Sequence, residues 1–301
     1  MPAVPGDQRA GGLGRRGSDP RPWWNTCRGS PEESSLAEVR HDGTVADRPG
    51  WGYNTGSMSF LPELRQTLLP ARDSKHGPLP PLLVALTFVT GLVDAFSYLL
   101  LGHVFVANMT GNVVLLGFAL VGAPGFSVAA SVVSMGSFAF GAVVGGRIGA
   151  SFAQHRGHLL TTAAALQGAF LVAALLLAVL AGTPIPDGYR YPLIAVLAIA
   201  MGIQNAATRK LAVPDLTTTV LTLTLTGIAA DSKIAGGPGS KAGRRLVAVA
   251  AMLCGAVVGA ALVLYVRSVD PLIIAVVVLA VVAAASRALG RAGSLWLRVD
   301  S

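Results

Sequence analysis

The chain has 301 residues, of which 52% are hydrophobic and only 13% charged, with a formal net charge of +8 and a positive mean hydropathy. This composition lies outside the range of soluble globular domains and describes a polytopic membrane protein. It excludes a nucleic-acid surface, because the basic residues sit between apolar runs and do not cluster on one face. It also excludes a disulfide framework or zinc site, since Cys27 and Cys254 have neither the number nor the spacing.

Residues 1–57 are rich in Gly, Pro, Arg and Ser, with seven Arg against seven Asp plus Glu. Such a stretch buries too little apolar surface to offset its ordering entropy, and a disordered tail is expected. It has no apolar signal-peptide core. The amphipathic stretch opening at Met58, "MSFLPELRQTLLPARDSKHGP", reads as a cytoplasmic lead-in over 58–80, which makes 1–57 the expected product of an over-extended start assignment.

Apolar runs follow at about 81–101, 103–121, 127–149, 158–182, 191–208, 211–230, 243–267 and 271–289, each near the ~20 residues that span a bilayer as helix. Eight crossings is the naive count, and loop charges test it, because cytoplasmic loops are enriched in Lys and Arg. Arg65, Arg72, Lys75 and His76 put the start inside; Arg147, His155, Arg156 and His158 mark 147–158 as inside; Lys233, Lys241, Arg244 and Arg245 do the same for 231–245. The loop 182–190 is poor in positive charge and reads as outside. These assignments agree only if 81–121 and 191–230 each make one net crossing, a full helix followed by a segment that dips into the membrane and returns. Arg287, Arg291 and Arg298 then leave the C-terminal stretch 290–301 inside.

The predicted fold is therefore an all-α polytopic membrane protein with six net crossings, arranged as a 3+3 inverted repeat over 81–182 and 191–289, with broken or re-entrant segments. "GLVDA" (91–95) corresponds to "GIQNA" (202–206), "LLGFA" (115–119) to "LTGIA" (225–229), and "GAVVG" (141–145) recurs at 255–259. One half starts inside and the other outside, an arrangement common among secondary transporters. Gly141, Gly145, Gly149, Gly255 and Gly259 recur at four-residue spacing, the pattern of closely packed helices.

The dipping segments carry polar motifs. "ANMTGN" places Asn108, Thr110 and Asn112 around Gly111, and its counterpart "VPDLTTT" holds Pro214, Asp215, Thr217 and Thr218. Non-helical backbone survives at membrane depth only when buried in protein or lining a wet cavity, so both motifs are expected to line a central cavity with Gln204 and Asn205. The plainer reading makes each Asn or Thr interhelical glue, worth about 0.6 kcal/mol. Asp94 and Asp215 are the carboxylates expected within the bilayer, where an ionised group is costly and its default reading is functional. Asp215 has Arg209 and Lys210 close in sequence, whereas Asp94 has no nearby cation and is the stronger candidate, with Asn108 or Asn112 as expected partners. His103 is expected at the interface, solvated or hydrogen-bonded.

The blocks "TGLVDAFSYLLLGHVFVANMTGNVVLLG" (90–117) and "GIQNAATRKLAVPDLTTTVLTLTLTG" (202–227) resemble the YoaK-like family of bacterial integral membrane proteins over about 81–289. The resemblance implies a polytopic inner-membrane protein. The family is a domain of unknown function and brings no substrate, reaction or catalytic residue with it.

The residues themselves support a small-solute secondary transporter, with a proton as candidate coupling ion and Asp94 as its titrating group. The alternative is a non-transporting scaffold or regulator. An enzyme is not expected, because no nucleophile–base set can be named, and no cofactor or metal is expected. The expected partners are the lipid bilayer and an unknown small solute or proton, with room for a homo-oligomer; the expected location is the cytoplasmic membrane, with both termini inside.

Overall fold

The computed structural model describes residues 65, 67–69, 77–152, 155–211, 221–230 and 242–291. Among these lie eight helices and no strand: α1 (Leu79–Leu100), α2 (Met109–Leu120), α3 (Val128–Ser151), α4 (Arg156–Ala181), α5 (Asp187–Leu211), α6 (Leu221–Ala230), α7 (Ala242–Tyr265) and α8 (Asp270–Arg291). Six are long and apolar enough to cross a membrane. The other two, α2 with 12 residues and α6 with 10, fall where the naive count put full spans. Boundaries differ slightly from the apolar runs. Helix α1 starts at Leu79, with Pro80 and Pro81 in its first turn, where a missing N–H costs nothing. Helix α5 starts at Asp187, whose charge suits the positive end of the helix dipole.

Helices α1 and α5 form the centre. Phe96, Leu86 and Leu92 of α1 and Leu193, Ile194 and Leu197 of α5 are fully enclosed or nearly so. By contrast Phe140 and Val143 of α3, Leu253 and Val257 of α7, and Val277 and Val281 of α8 face outward. Apolar surface of that extent is an aggregation hazard in water and the ordinary condition of a helix in lipid.

Each central helix crosses the second long helix of the other half: α1 packs on α7, and α5 on α3. Glycines make both crossings. A Cβ on Gly91 would overlap Met252 O and one on Gly255 would overlap Phe88 O; at the other crossing Gly202 and Gly141 meet Phe138 O and Ile199 O in the same way. Gly91 and Gly202, like Phe88 and Ile199, are 111 residues apart, while Gly141 and Gly255, like Phe138 and Met252, are 114 apart. The two crossings thus use corresponding residues down to the carbonyl that each glycine admits.

Four contacts sort the helix ends onto two faces. The Thr161 and Ser286 hydroxyls, 2.8 Å apart, join the start of α4 to the end of α8, and Lys210 lies on Gly149 where α3 and α5 end. On the opposite face Thr183 and Ser268 hydroxyls are 2.7 Å apart, and Arg190 lies against Gly102. The first face collects Arg147, Arg156, Arg209, Lys210, Arg244, Arg245 and Arg287, with no acid among the described residues there; the second holds Asp187, Arg190, Arg267 and Asp270. Asp187 and Arg190 pair at 3.0 Å.

Candidate functional site

Helix α1 ends in a Schellman turn. Gly102, with φ 88°, sits just past the cap; Leu101 N donates to Ser97 O and His103 N to Tyr98 O, which satisfies the last carbonyls of the helix. His103 itself has φ 55°, a left-handed conformation in which His is enriched among non-glycine residues. Two successive left-handed residues reverse the chain, and 104–108 runs back alongside α1.

The descent stops at Asp94, six residues and about 9 Å below the end of α1. Asp94 Oδ1 accepts hydrogen bonds from Val106 N at 3.1 Å and Ala107 N at 2.9 Å. Asn108 then caps α2 by accepting from Gly111 N at 3.2 Å, and α2 climbs back out. His103 Nδ1 lies 3.0 Å from Gly125 O and its ring 5.7 Å from that of Phe126. The excursion from 103 to 125 therefore begins and ends at one place, which is the dip and return required by the loop charges.

Asn112 anchors the excursion from its far side. Its Oδ1 accepts from Phe105 N at 2.9 Å, while its Nδ2 donates to Phe105 O at 2.6 Å and to Ser134 Oγ at 3.1 Å. Ser134 Oγ also donates to Phe105 O at 2.6 Å. One carboxamide thus satisfies both backbone groups of an unwound residue and ties it to α3. Asn112 and the Oδ1 of Asn108 are engaged by backbone, and Asp94 takes its donors from Val106 and Ala107. The expected bond from either carboxamide to Asp94 is corrected accordingly.

Asp94 retains one open atom. The residue is 5% exposed, and its Oδ2 is buried without a hydrogen-bond partner. It lines a cavity of about 290 Å³ with Tyr98, Phe105 and Asn108 on one side and Met252 and Ala260 of α7 on the other. Tyr98 and Phe105 are stacked at 4.9 Å. No Lys, Arg or His is among the described residues that line it. The cavity lies between α1, the unwound linker and α7.

The remaining expected site residues that lie among the described ones do not join it. Thr110 is exposed on the first turn of α2. Gln204 is buried at another junction, where it accepts from Gln167 Nε2 at 2.6 Å and donates to Thr90 Oγ1 at 2.8 Å, linking α5, α4 and α1. Asn205, the counterpart of Asp94, donates to Met201 O at 2.9 Å. Asp215, Thr217 and Thr218 lie outside the described residues. Tyr98, Phe105, Ser134 and Gln167 were not expected. A polar residue inside an apolar run was the available signal for Ser134 and Gln167, and the i, i+4 spacing to Asp94 was the signal for Tyr98.

The fold and site define a multi-pass α-helical membrane protein with a buried carboxylate held against an unwound, re-entrant segment. The chain belongs to the DUF1275 family, described as a protein of unknown function, whose pattern matches residues 82–285. It is similar to the UPF0700 transmembrane protein YoaK of Bacillus subtilis (strain 168), with 37% identity over 152 residues. That match covers 50% of this chain and 65%, just under two thirds, of the relative's length. No solved structure matches it.

Proposed function

We propose that this protein is a small-solute secondary transporter of the cytoplasmic membrane, with the Asp94 cavity as its binding site and the proton as its coupling ion. The observation that carries the reading is the Asp94 carboxylate, whose Oδ2 is buried yet unpartnered in a residue that lines a cavity. A buried charged or polar oxygen is costly without a partner, so this atom has a use for a proton or a solute group. The broken backbone at the same depth is the construction by which transporter folds form midplane sites.

The two halves are read as an inverted repeat, supported by the corresponding glycines of the α1–α7 and α5–α3 crossings. The arginine-rich face is read as cytoplasmic by the positive-inside rule. The scaffold reading suits Asn112 and Gln204, which hydrogen-bond to other groups of the chain, and leaves the unpartnered oxygen of Asp94 without a purpose. The group set is read as one for transport and not catalysis.

The test uses the full chain reconstituted in vesicles. A panel of solutes is screened for flux that moves protons, and any hit is repeated with Asp94→Asn. The variant keeps an Oδ1 acceptor for Val106 and Ala107, so it should fold normally and lose the proton movement. A folded variant that still moves protons with the solute would place the coupling elsewhere.

A further inference from the structure

The cavity's chemistry says which solutes it accepts. Its polar equipment is the Asp94 carboxylate, the Tyr98 phenol and the Asn108 carboxamide; Phe105, Met252 and Ala260 make the rest of the wall apolar. An anionic solute would meet the charge of Asp94 head on, and a neutral one would leave that charge uncompensated in apolar surroundings. A hard metal cation wants six or more oxygen ligands, far more than this wall presents. No group of three or more His, Cys, Asp or Glu capable of holding a metal occurs among the described residues.

An organic ammonium ion answers both halves of the lining. Its charge meets Oδ2, and its alkyl groups lie against Met252, Ala260 and the rings, where a cation over the face of Tyr or Phe within about 6 Å gains further attraction. The volume of about 290 Å³ stands at the lower end of small-molecule sites, which run about 300–1,000 Å³. A compact cation fits that size, whereas a bare proton requires no cavity at all.

We infer that the Asp94 cavity binds small organic ammonium ions and that ammonium and proton occupy Oδ2 in turn, so that the protein exchanges one for the other. This rests on the transporter reading and adds the solute class and the sense of coupling. The balance is simple: the protonated carboxyl and the free ammonium ion give the carboxylate–ammonium pair and one released proton. Neither partner can hold Oδ2 while the other does, so a cation moving one way drives a proton the other way.

Choline is the probe, because its permanent charge prevents the passive permeation that a weak-base amine would show. Vesicles containing the full-length protein are loaded with choline and diluted into choline-free buffer while a lumenal dye reports pH. The lumen should acidify as choline leaves and protons enter. The uncharged carbon analogue 3,3-dimethylbutan-1-ol should produce no change, and Asp94→Asn should abolish the acidification. Ala260→Phe, which fills the cavity without touching the bonds of Asp94, should reduce it at least tenfold, and it decides the question if Asp94→Asn does not fold. Choline efflux without acidification, or acidification that persists in a folded Asp94→Asn or Ala260→Phe protein, overturns the exchange. If choline and other quaternary ammonium ions neither bind nor move while a neutral or anionic solute is carried in an Asp94-dependent way, the solute class is wrong and the transporter reading stands. If no solute in the panel moves at all, both fall.

Discussion

At the scale of the residue, one carboxylate and one carboxamide do for backbone what water does outside the membrane. Asp94 takes two N–H groups, and Asn112 takes both polar groups of Phe105. Asn112→Leu should leave that N–H unpaired and weaken the tie to Ser134, at about 1–3 kcal/mol for each buried group left unsatisfied. A thermal melt in detergent should fall clearly, while Thr110→Val, on an exposed first turn, should not shift it. The isolation of Asp94 was legible in the sequence, since no cation stands near it. Its partners were not, because the reach of Val106 and Ala107 depends on the reversal at Gly102 and His103. Gln204 and Asn205 were grouped by motif, yet adjacent helical residues point about 100° apart; one enters the α1–α4–α5 junction and the other does not.

At the scale of the element, long helices were legible because about 20 apolar residues in lipid have little alternative to helix. The two short ones were legible only through charge parity, a property of the loops and not of the segments. Glycine spacing told which helix faces pack closely but not with what: four-residue spacing on α3 and α7 fits any neighbour, and the neighbour proves to be the central helix of the opposite half. Gly202→Val and Gly91→Val should be equally damaging, because each drives a side chain into a facing carbonyl and exceeds the about 1–3 kcal/mol of ordinary overpacking. Gly136→Val and Gly146→Val, where an added Cβ meets nothing within 4 Å, should be nearly silent. Yield of monodisperse protein by size exclusion distinguishes the two classes.

At the scale of the molecule, the face assignments predict a labelling pattern. In a background lacking Cys27 and Cys254, single cysteines at Gly122 and Gly188 should react with an impermeant reagent from one side of the membrane. One at Ser151 should react only from the other. A further cysteine at Gly77, just before α1, should react from the side of Ser151; labelling of Gly77 and Gly122 from the same side would mean that α2 crosses, break the re-entrant geometry and return the count toward eight crossings. That the arginines gather at one set of helix ends was legible from the sequence; that the chain forms one interleaved bundle was not, because hydropathy has no information about partners.

That interleaving bears on how the protein is made. Gly255 follows Gly91 by 164 residues, and chains grow at about 5–20 residues per second, so the first central helix waits roughly 8–30 s for the helix that clasps it. Throughout that interval α1 is in the membrane with its glycine groove unfilled and one wall of the Asp94 cavity not yet synthesised. The N-terminal half is thus a holding state, completed only by sequence from the far end of the message. A chain that stops between the halves lacks Met252, Ala256 and Ala260, the α7 wall of the cavity that Asp94 lines.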